Sequence, residues 1–305
     1  MRGSCASPTT LSRDIEAITL NETSTGRQLQ TIQVDGPTNG IGEIRLDRPD
    51  KRNAINVTMI FELESVLRDF ESDGNCRVVI IGANGSTFSS GHDLERDEEP
   101  DKAWELKRRT SEGRYGVEDV LYRQQALYLR NFPKPTIARV QGPAVAAGWT
   151  LASMCDLIVA SSEARFQNPV VRMAAAGSQV LFEPWDVGVR KAKELLFTGG
   201  WLSAEEGRQL GYVNRVVDTE ALVRETASLA REIAAMPPWA LRLVKQSINH
   251  SADAMGVRES WDYQFLIRNL GHASEERADF MRARREGSSV KEFIADRDSK
   301  FGGGP

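Results

Sequence analysis

The chain has 305 residues, which is long enough to bury a full hydrophobic core. Its 39 basic and 43 acidic residues give a formal net charge of −4 at pH 7, a balance that gives no reason to expect a nucleic-acid partner. The three cysteines, Cys5, Cys76 and Cys155, lack the spacing of metal ligands or of a disulfide framework. We therefore expect a reduced, cytoplasmic protein without a bound metal.

The N-terminal residues and the most apolar stretch both argue against a targeting or membrane-spanning segment. Residues 1–27 are rich in Ser, Thr and Asn and contain no apolar run suited to a signal peptide, which predicts a flexible N-terminal extension. The stretch from Pro143 to Ala160 is interrupted by Thr150, Ser153 and Asp156, a pattern that favours a buried helix leading into a buried strand. No membrane partner is expected.

The next part of the chain alternates between strand-like and helix-like patterns. Two β-prone runs flank the turn residues at 35–40 and predict a hairpin. Apolar residues at helical spacing between Ile55 and Phe70 then predict an amphipathic helix. The continued alternation predicts an α/β core. In order, the predicted elements are strands Leu29–Val34 and Ile41–Leu46, the helix at 55–70, strand Val78–Ala83, a polar helix Lys102–Asn131, strand Thr136–Val140, helix Ala146–Met154 and strand Leu157–Ser161.

Helical patterns dominate the rest of the chain. Ser203 and Glu206 match the S-x-x-E capping box of a helix start, and the run from Tyr212 to Val217 is the last predicted strand. We divide the chain into the extension at 1–27, an α/β core at 28–218 and a helical C-terminal segment with a flexible end at 219–305. The C-terminal helices are predicted at Glu220–Ala235, Trp239–His250, Val257–Leu270, Glu275–Arg285 and Val290–Arg297.

Two loops carry the strongest functional signal. They are Phe88–Leu94, with the sequence FSSGHDL, and Gln141–Trp149, with the sequence QGPAVAAGW. Each follows a predicted strand and is predicted to open a helix. The first NH groups of a helix have no partner within the helix, and the helix dipole adds partial positive charge there. Two such loops facing one atom could hold an oxyanion, such as a thioester enolate.

These loops resemble, in order and spacing, those of the enoyl-CoA hydratase/isomerase (crotonase) superfamily. The resemblance runs from about Ile32 to about Asn249 and includes the earlier stretch Leu46–Ile55, LDRPDKRNAI. Further motifs follow in register: FPKPTIA at 132–138, CDLIVAS at 155–161, and LFTG at 196–199 ahead of SAEE at 203–206. Six motifs in the same order make this resemblance specific.

The resemblance implies a fold, a substrate class and an assembly. The superfamily fold is an α/β spiral of ββα units with a helical C-terminal segment. Its members assemble as homotrimers or as hexamers made of two trimers. The implied substrate is an acyl-CoA thioester, so coenzyme A enters as part of the substrate and no separate cofactor is expected.

The resemblance also assigns the residues around the thioester. Two backbone NH groups form the oxyanion hole of the superfamily, and the matching positions here are His92 and Ala147. Gly91 and Gly148 beside them are assigned to the substrate site. Ala-Ala-Gly at 146–148 replaces the usual Gly-Gly-Gly, which restricts the backbone angles but retains the NH groups.

A site for the nucleotide of coenzyme A is implied in the same way. Backbone carbonyls hold the adenine in the superfamily, and the matching positions are Ala54 and Ser90. Lys51 and Arg52 lie close to Ala54 in the sequence and could contact the phosphates. The alternative is that these two are solvated loop charges.

The main departure from the superfamily pattern concerns acid–base chemistry. Hydratases of the superfamily use two glutamates to move protons at C2 and C3 of the acyl group. The matching positions, assigned to the substrate site, are Thr150 and Val170, and neither side chain is a general acid or base. The stretch that begins at Val170 resembles a subgroup seen in actinobacteria that lacks the usual catalytic glutamates. Efficient two-glutamate hydration is therefore not expected.

Other side chains are candidates for proton transfer. Glu183 and Asp186 could be relocated carboxylates, and the alternative for each is a salt bridge or a helix cap. The His92 imidazole could transfer protons, or it could only shape the pocket entrance. Asp93 is predicted to cap a helix that begins near Leu94.

Three functional hypotheses follow from these residues. The leading one is a lyase or isomerase that binds an acyl-CoA thioester and stabilises its enolate, with the exact reaction open. A second is a CoA-independent C–C bond hydrolase or specialised-metabolite enzyme, which would not depend on the nucleotide. A third is a catalytically silent acyl-CoA-binding homologue, which would bind thioesters without turnover.

Overall fold

The computed structural model describes residues 29–95 and 101–286 and, beyond them, positions 292, 295 and 299. The predicted extension at 1–27 and most of the predicted helix from Val290 to Arg297 lie outside these residues. The described residues form nine strands: β1 Ile32–Thr38, β2 Ile41–Leu46, β3 Val78–Ala83, β4 Thr136–Val140, β5 Pro143–Val145, β6 Leu157–Ser161, β7 Arg165–Gln167, β8 Trp201–Ser203 and β9 Arg215–Val217.

Helices connect and cover these strands. Within the same residues they are α1 Val57–Ser72, α2 Asp101–Lys107, α3 Ser111–Glu118, α4 Gln124–Arg130, α5 Ala147–Ser153, α6 Glu183–Asp186, α7 Val189–Thr198, α8 Ala204–Gln209, α9 Leu222–Ala234, α10 Pro238–Ala254, α11 Val257–His272 and α12 Glu275–Glu286. A π-helical turn, Asp119–Arg123, joins α3 to α4. Short 3-10 turns lie at Pro49–Lys51, Pro169–Met173 and Thr219–Ala221.

The main sheet has six strands in the order β1-β2-β3-β4-β6-β9. β1 and β2 form the predicted antiparallel hairpin, and the other neighbouring strands run parallel. Successive residues of β3 alternate between two cores: Val79 and Ile81 pack into the larger one, and Val78 and Ile80 pack with α9. Burial on both faces is typical of parallel strands covered by helices. The α/β class predicted from the sequence is therefore confirmed.

A second sheet of three short strands, β5-β7-β8, was not predicted. β5 runs parallel to β7, and β7 runs antiparallel to β8. Each strand has only three residues, too few to show an alternating pattern in the sequence. The sheet fixes the second loop, because β5 leads into α5 and Ala146 donates its NH to Gln167 at the end of β7 at 2.8 Å.

The prediction of one helix from Lys102 to Asn131 was wrong. The chain breaks after α2, and the Thr110 side chain accepts a hydrogen bond from the Gly113 NH, which starts α3 as a new helix. The π-helical turn then widens the backbone spiral before α4. The π-helical turn and α4 line a pocket together with α1.

The C-terminal helices differ in what they cover. α9 packs on the main sheet, and α11 buries Val257, Trp261 and Phe265. None of the residues of α10 is buried, although it carries several large apolar side chains. No helix in the part of the chain that the structure describes combines the length and apolar character needed to cross a bilayer.

Candidate active site

The first loop is held by strand-like hydrogen bonds on both sides. On one side, Ile55 donates its NH to Gly91 O at 2.8 Å and accepts from the Asp93 NH at 2.9 Å. On the other side, Val145 donates its NH to Ser89 O at 2.9 Å. Main-chain geometry therefore fixes the backbone at position 92, whatever its side chain.

Two glycines allow the loops to approach each other closely. Gly91 has a φ of +92°, and a Cβ added there would lie 3.4 Å from Ala147 N. A Cβ added at Gly148 would lie 2.6 Å from Ser89 Cβ. The residue before α5, Ala146, adopts a φ of 49°, so the substituted triplet keeps a sharp turn at a conformational cost. The NH end of α5 thus abuts the first loop.

The first loop itself does not open a helix as predicted. Leu94 and Glu95 are not helical, so of the described residues of the two loops, those of the second provide a helix N-terminus next to the junction. Asp93 does not cap a helix at Leu94 but forms a buried ion pair with Arg48 at 2.8 Å and accepts the Glu95 NH at 3.0 Å. The buried guanidinium needs a partner charge, and Asp93 supplies it.

A mostly apolar pocket opens beside the loop junction. His92 and Ala147 both line it, and helices α1, α4 and α5 and the π-helical turn form its walls. The pocket and its open mouth together span about 660 Å³. The apolar lining includes Ile60, Leu63, Leu67, Leu121, Leu129, Leu151 and Met154.

One group of polar side chains reaches from the first loop across the pocket wall. His92 Nε2 lies 3.1 Å from Gln179 Nε2. The His92 ring stacks on Tyr122, with centroids 3.9 Å apart and planes inclined by 30°. Tyr122 belongs to the π-helical turn, and its hydroxyl oxygen accepts a hydrogen bond from the buried Arg108 guanidinium. Such π-helical turns occur often at functional sites.

The two positions that the resemblance matches to the hydratase glutamates differ in their surroundings. Thr150 lines the pocket, and its hydroxyl donates to Ala146 O at 3.2 Å. Val170 is buried on the 3-10 turn Pro169–Met173 and is not part of the pocket lining. Neither position brings a carboxylate to the pocket.

The carboxylates of Glu183 and Asp186 also lie outside the pocket wall. α6 directs Glu183 into the interior, where its Oε1 accepts from Asn168 Nδ2 at 2.7 Å and its Oε2 has no hydrogen-bond partner. Burial raises the pKa of Glu183 to about 7. Burial and the neighbouring Glu183 charge raise the pKa of Asp186 to about 7 as well. Neither carboxylate therefore lines the pocket beside the loop junction, in contrast to the expectation for a relocated base.

The residues assigned to coenzyme A form one patch on the outer side of the first loop. The Ser90 NH donates to Arg52 O at 2.9 Å, which joins the two stretches. The Ala54 carbonyl accepts from Arg48 Nη1 at 2.6 Å, so one of its two lone pairs is already used. Lys51 and Arg52 are exposed, and Lys51 forms an ion pair with Glu95. Both cations are thus accessible to a ligand.

Sequence reasoning missed two side chains of this site, Tyr122 and Arg108. They come from separate stretches that carry none of the quoted motifs, and only the fold brings them to His92. No local pattern in the sequence distinguishes them from ordinary pocket or surface residues.

Comparisons with known proteins agree with this architecture. The model of the enoyl-CoA hydratase/isomerase family matches residues 36–301. "Putative enoyl-CoA hydratase EchA13" of Mycobacterium tuberculosis is 38% identical over 263 residues, 81% of this chain and 82% of that protein. 4-Chlorobenzoyl coenzyme A dehalogenase-2 of Arthrobacter sp is 31% identical over 271 residues, 87% of this chain and 95% of that protein.

The solved structure of an enoyl-CoA hydratase/isomerase from Xanthobacter autotrophicus Py2 is also similar. It matches with a TM-score of 0.79 at 29% identity, covering 90% of this chain and 100% of that chain. The family match and these relatives span most of the chain. The protein therefore belongs to the enoyl-CoA hydratase/isomerase family and has the crotonase fold.

Proposed function

We propose that this protein is a lyase or isomerase that binds an acyl-CoA thioester and stabilises its enolate between the NH groups of His92 and Ala147. The observation that carries the proposal is the loop junction, where the Gly91 backbone abuts Ala147 N at the wall of an apolar pocket. Donors fixed before the reaction stabilise a developing negative charge without further reorganisation.

The relatives support this substrate class and leave the reaction open. Their names include a hydratase and a dehalogenase, and the dehalogenase is named for a coenzyme A ester. Coenzyme A would bind at the outer patch, with Ala54 and Ser90 carbonyls near the adenine and Lys51 and Arg52 near the phosphates. With Thr150 and Val170 at the two glutamate positions, we propose a route other than two-glutamate hydration.

Replacing Gly91 by Ala tests the oxyanion hole. The added Cβ would lie 2.9 Å from Val145 O, and φ is +92°, so we expect the His92 NH to shift. A lost hydrogen bond to a charged group costs about 1.5–3 kcal/mol, so the affinity for an enolate should fall about tenfold or more. The measurement is titration with acetoacetyl-CoA, a β-keto thioester whose enolate absorbs in the near ultraviolet.

The matched control is Gly211→Ala. Gly211 has a φ of +85° but no atoms within 4 Å of an added Cβ, so it shares the backbone strain without the contact. We expect enolate binding in this variant to match the wild type. Unchanged enolate binding in a folded Gly91→Ala protein would remove the first loop from the site.

We further propose that the protein assembles as a homotrimer or as a hexamer. Val244 (55% exposed) and Ile248 (63% exposed) lie one turn apart on α10, and Trp239 near its start is 65% exposed. Exposed apolar side chains of this kind favour a partner surface. Sedimentation should show a trimer or a dimer of trimers. Ile248→Asp should shift the protein toward smaller species, whereas Gln246→Asp, at an exposed polar position of the same helix, should not. A stable wild-type monomer at micromolar concentration would contradict the proposal.

A further inference from the structure

Three helical segments line the pocket, each along one face and over two turns. Residues two turns apart on a helix lie on the same face, separated by about 10 Å along the axis. Each segment contributes such a pair to the lining: Ile60 and Leu67 on α1, Tyr122 and Leu129 on the π-helical turn and α4, and Ala147 and Met154 at the two ends of α5. The pocket is therefore about two helical turns deep.

The first member of each pair lies at the loop junction. Ala147 supplies one of the two NH groups of the proposed oxyanion hole. The Tyr122 ring stacks on His92, which supplies the other, with centroids 3.9 Å apart. Ile60 is in the first turn of α1, shortly after Ile55, whose NH donates to Gly91 O at 2.8 Å. All three walls thus begin where the thioester oxygen would bind.

The second members form the opposite end of the pocket. Leu67, Leu129 and Met154 are apolar and buried, and all three belong to the larger hydrophobic core. The pocket therefore runs from the loop junction into the core. A group that reaches this end leaves water and meets hydrocarbon side chains, which favours an apolar tail.

The polar side chains between α1 and α4 bond to each other on one side of the pocket. Gln125 Nε2 donates to Glu64 Oε2 at 2.9 Å, and Arg68 Nη2 donates to the other oxygen of Glu64 at 2.6 Å. The Tyr128 hydroxyl donates to Glu71 at 2.7 Å. These contacts join α4 to α1 along the length of the pocket. Because these groups already have protein partners, they do not require a polar group on the acyl chain.

We propose that the pocket takes a linear, apolar acyl group of about eight carbons, and that Leu67, Leu129 and Met154 set this length. The inference rests on the proposed function, because it places the thioester oxygen at the Ala147 NH. An extended alkyl chain advances about 1.25 Å per carbon–carbon bond of about 1.5 Å. Two helical turns, about 10 Å, therefore accommodate about eight bonds from the loop junction to the apolar end.

The affinities of butyryl-, octanoyl- and dodecanoyl-CoA, measured by calorimetry below the concentrations at which they form micelles, test the length. The three ligands share the nucleotide and the thioester, so their affinity ratios report the tail alone. A buried methylene gains up to about fourfold in affinity. Octanoyl-CoA should therefore bind at least about tenfold more tightly than butyryl-CoA. Dodecanoyl-CoA should bind no more tightly than octanoyl-CoA, because its last carbons exceed the depth of the pocket.

Substitutions at the apolar end should change this order. Met154→Ala, or Leu67→Ala if that variant does not fold, extends the pocket, so dodecanoyl-CoA should become the tighter ligand. Leu129→Phe fills the end and should weaken octanoyl-CoA about tenfold while butyryl-CoA binds as before. The matched control is Met59→Ala. Met59 is equally buried on α1 but is not among the described residues that line the pocket, so this variant should keep the wild-type order.

A polar tail tests the apolar character of the same end. The terminal hydroxyl of 8-hydroxyoctanoyl-CoA would be buried among Leu67, Leu129 and Met154, where hydrocarbon offers it no hydrogen-bond partner. We expect this ligand to bind at least about fivefold more weakly than octanoyl-CoA. Equal affinity of the two ligands would mean that the tail ends in water, which would overturn the inference.

The outcomes separate the inference from the proposed function. Equal affinities of butyryl- and octanoyl-CoA, with acetoacetyl-CoA enolate binding intact, would overturn the assigned acyl group and leave the oxyanion hole in place. An affinity that continues to rise up to dodecanoyl-CoA in the wild type would overturn the role of the apolar end in setting the length. Absence of acetoacetyl-CoA enolate binding in the wild type would instead refute the proposed function.

Discussion

Crotonyl-CoA should be hydrated slowly or not at all by this protein. General acid–base catalysis by a positioned group contributes roughly 10²- to 10⁴-fold in rate. A family hydratase that carries both glutamates, assayed alongside, should therefore be at least about 10²-fold faster. The resemblance matches those positions to Thr150 and Val170, and neither side chain is a general acid or base. Loss of the ultraviolet absorbance of the enoyl thioester measures the rate.

Two single substitutions refine this prediction. Thr150 lines the pocket, so Thr150→Glu would present a carboxylate to the acyl group and should raise the hydration rate. Val170 is buried outside the pocket wall, so Val170→Glu should add no hydration and should destabilise the protein by burying a charge. Fast crotonyl-CoA hydration by the unmodified protein would show that the missing glutamates matter less than argued.

The central strands were predictable because each is a short, almost uninterrupted run of apolar residues, which can be recognised without knowing its partners. β3, β4 and β6 have the bounds expected from apolar runs, since strands buried on both faces allow almost no polar residue. The helix expected at 55–70 is α1, Val57–Ser72, where Asn56 accepts the Met59 NH as an N-cap. The Ser203 cap of α8 was also predicted and is confirmed.

The features that were predicted wrongly or not predicted at all depend on contacts between distant parts of the chain. The strands β5, β7 and β8 exist because each pairs with a distant partner. Asp93 was predicted to cap a helix, but its carboxylate instead accepts a hydrogen bond from the buried guanidinium of Arg48 at 2.8 Å, 45 residues away in sequence. Such competition between a local and a distant partner is not visible in a local pattern.

The candidate site likewise contains residues that local motifs identified and residues whose surroundings depend on the fold. Gly91 and His92 were identified from one motif and Ala147 from another, and the fold brings the two motifs to one pocket. Glu183 was chosen as a possible base because it follows the lost glutamate position in sequence. α6 turns its carboxylate toward Asn168, and Glu183 does not line the pocket.

The buried Glu183 should make the stability of the protein fall as the pH rises from about 5 to 8. Burial raises its pKa from 4.5 to about 7, so in this window the folded state holds a proton that the unfolded state has lost. The free energy of unfolding then decreases with pH, because stability rises only where the unfolded state binds more protons. The contribution is fully present below the unfolded pKa of 4.5 and is lost as the pH passes through about 7.

Glu183→Gln isolates this effect because the amide keeps the oxygen that accepts from Asn168 but does not titrate. The gap between 4.5 and about 7, at about 1.4 kcal/mol per pKa unit, corresponds to about 3 kcal/mol. We expect the variant to match the wild type near pH 5 and to exceed it by up to this amount at pH 8, with part of the difference arising through the coupled Asp186. Urea unfolding at both pH values, at one protein concentration, measures it. Glu163→Gln, at an exposed position, is the control and should show the same pH dependence of the free energy of unfolding as the wild type. If Glu183→Gln also shows the wild-type pH dependence, Glu183 is ionised in the folded protein at little cost.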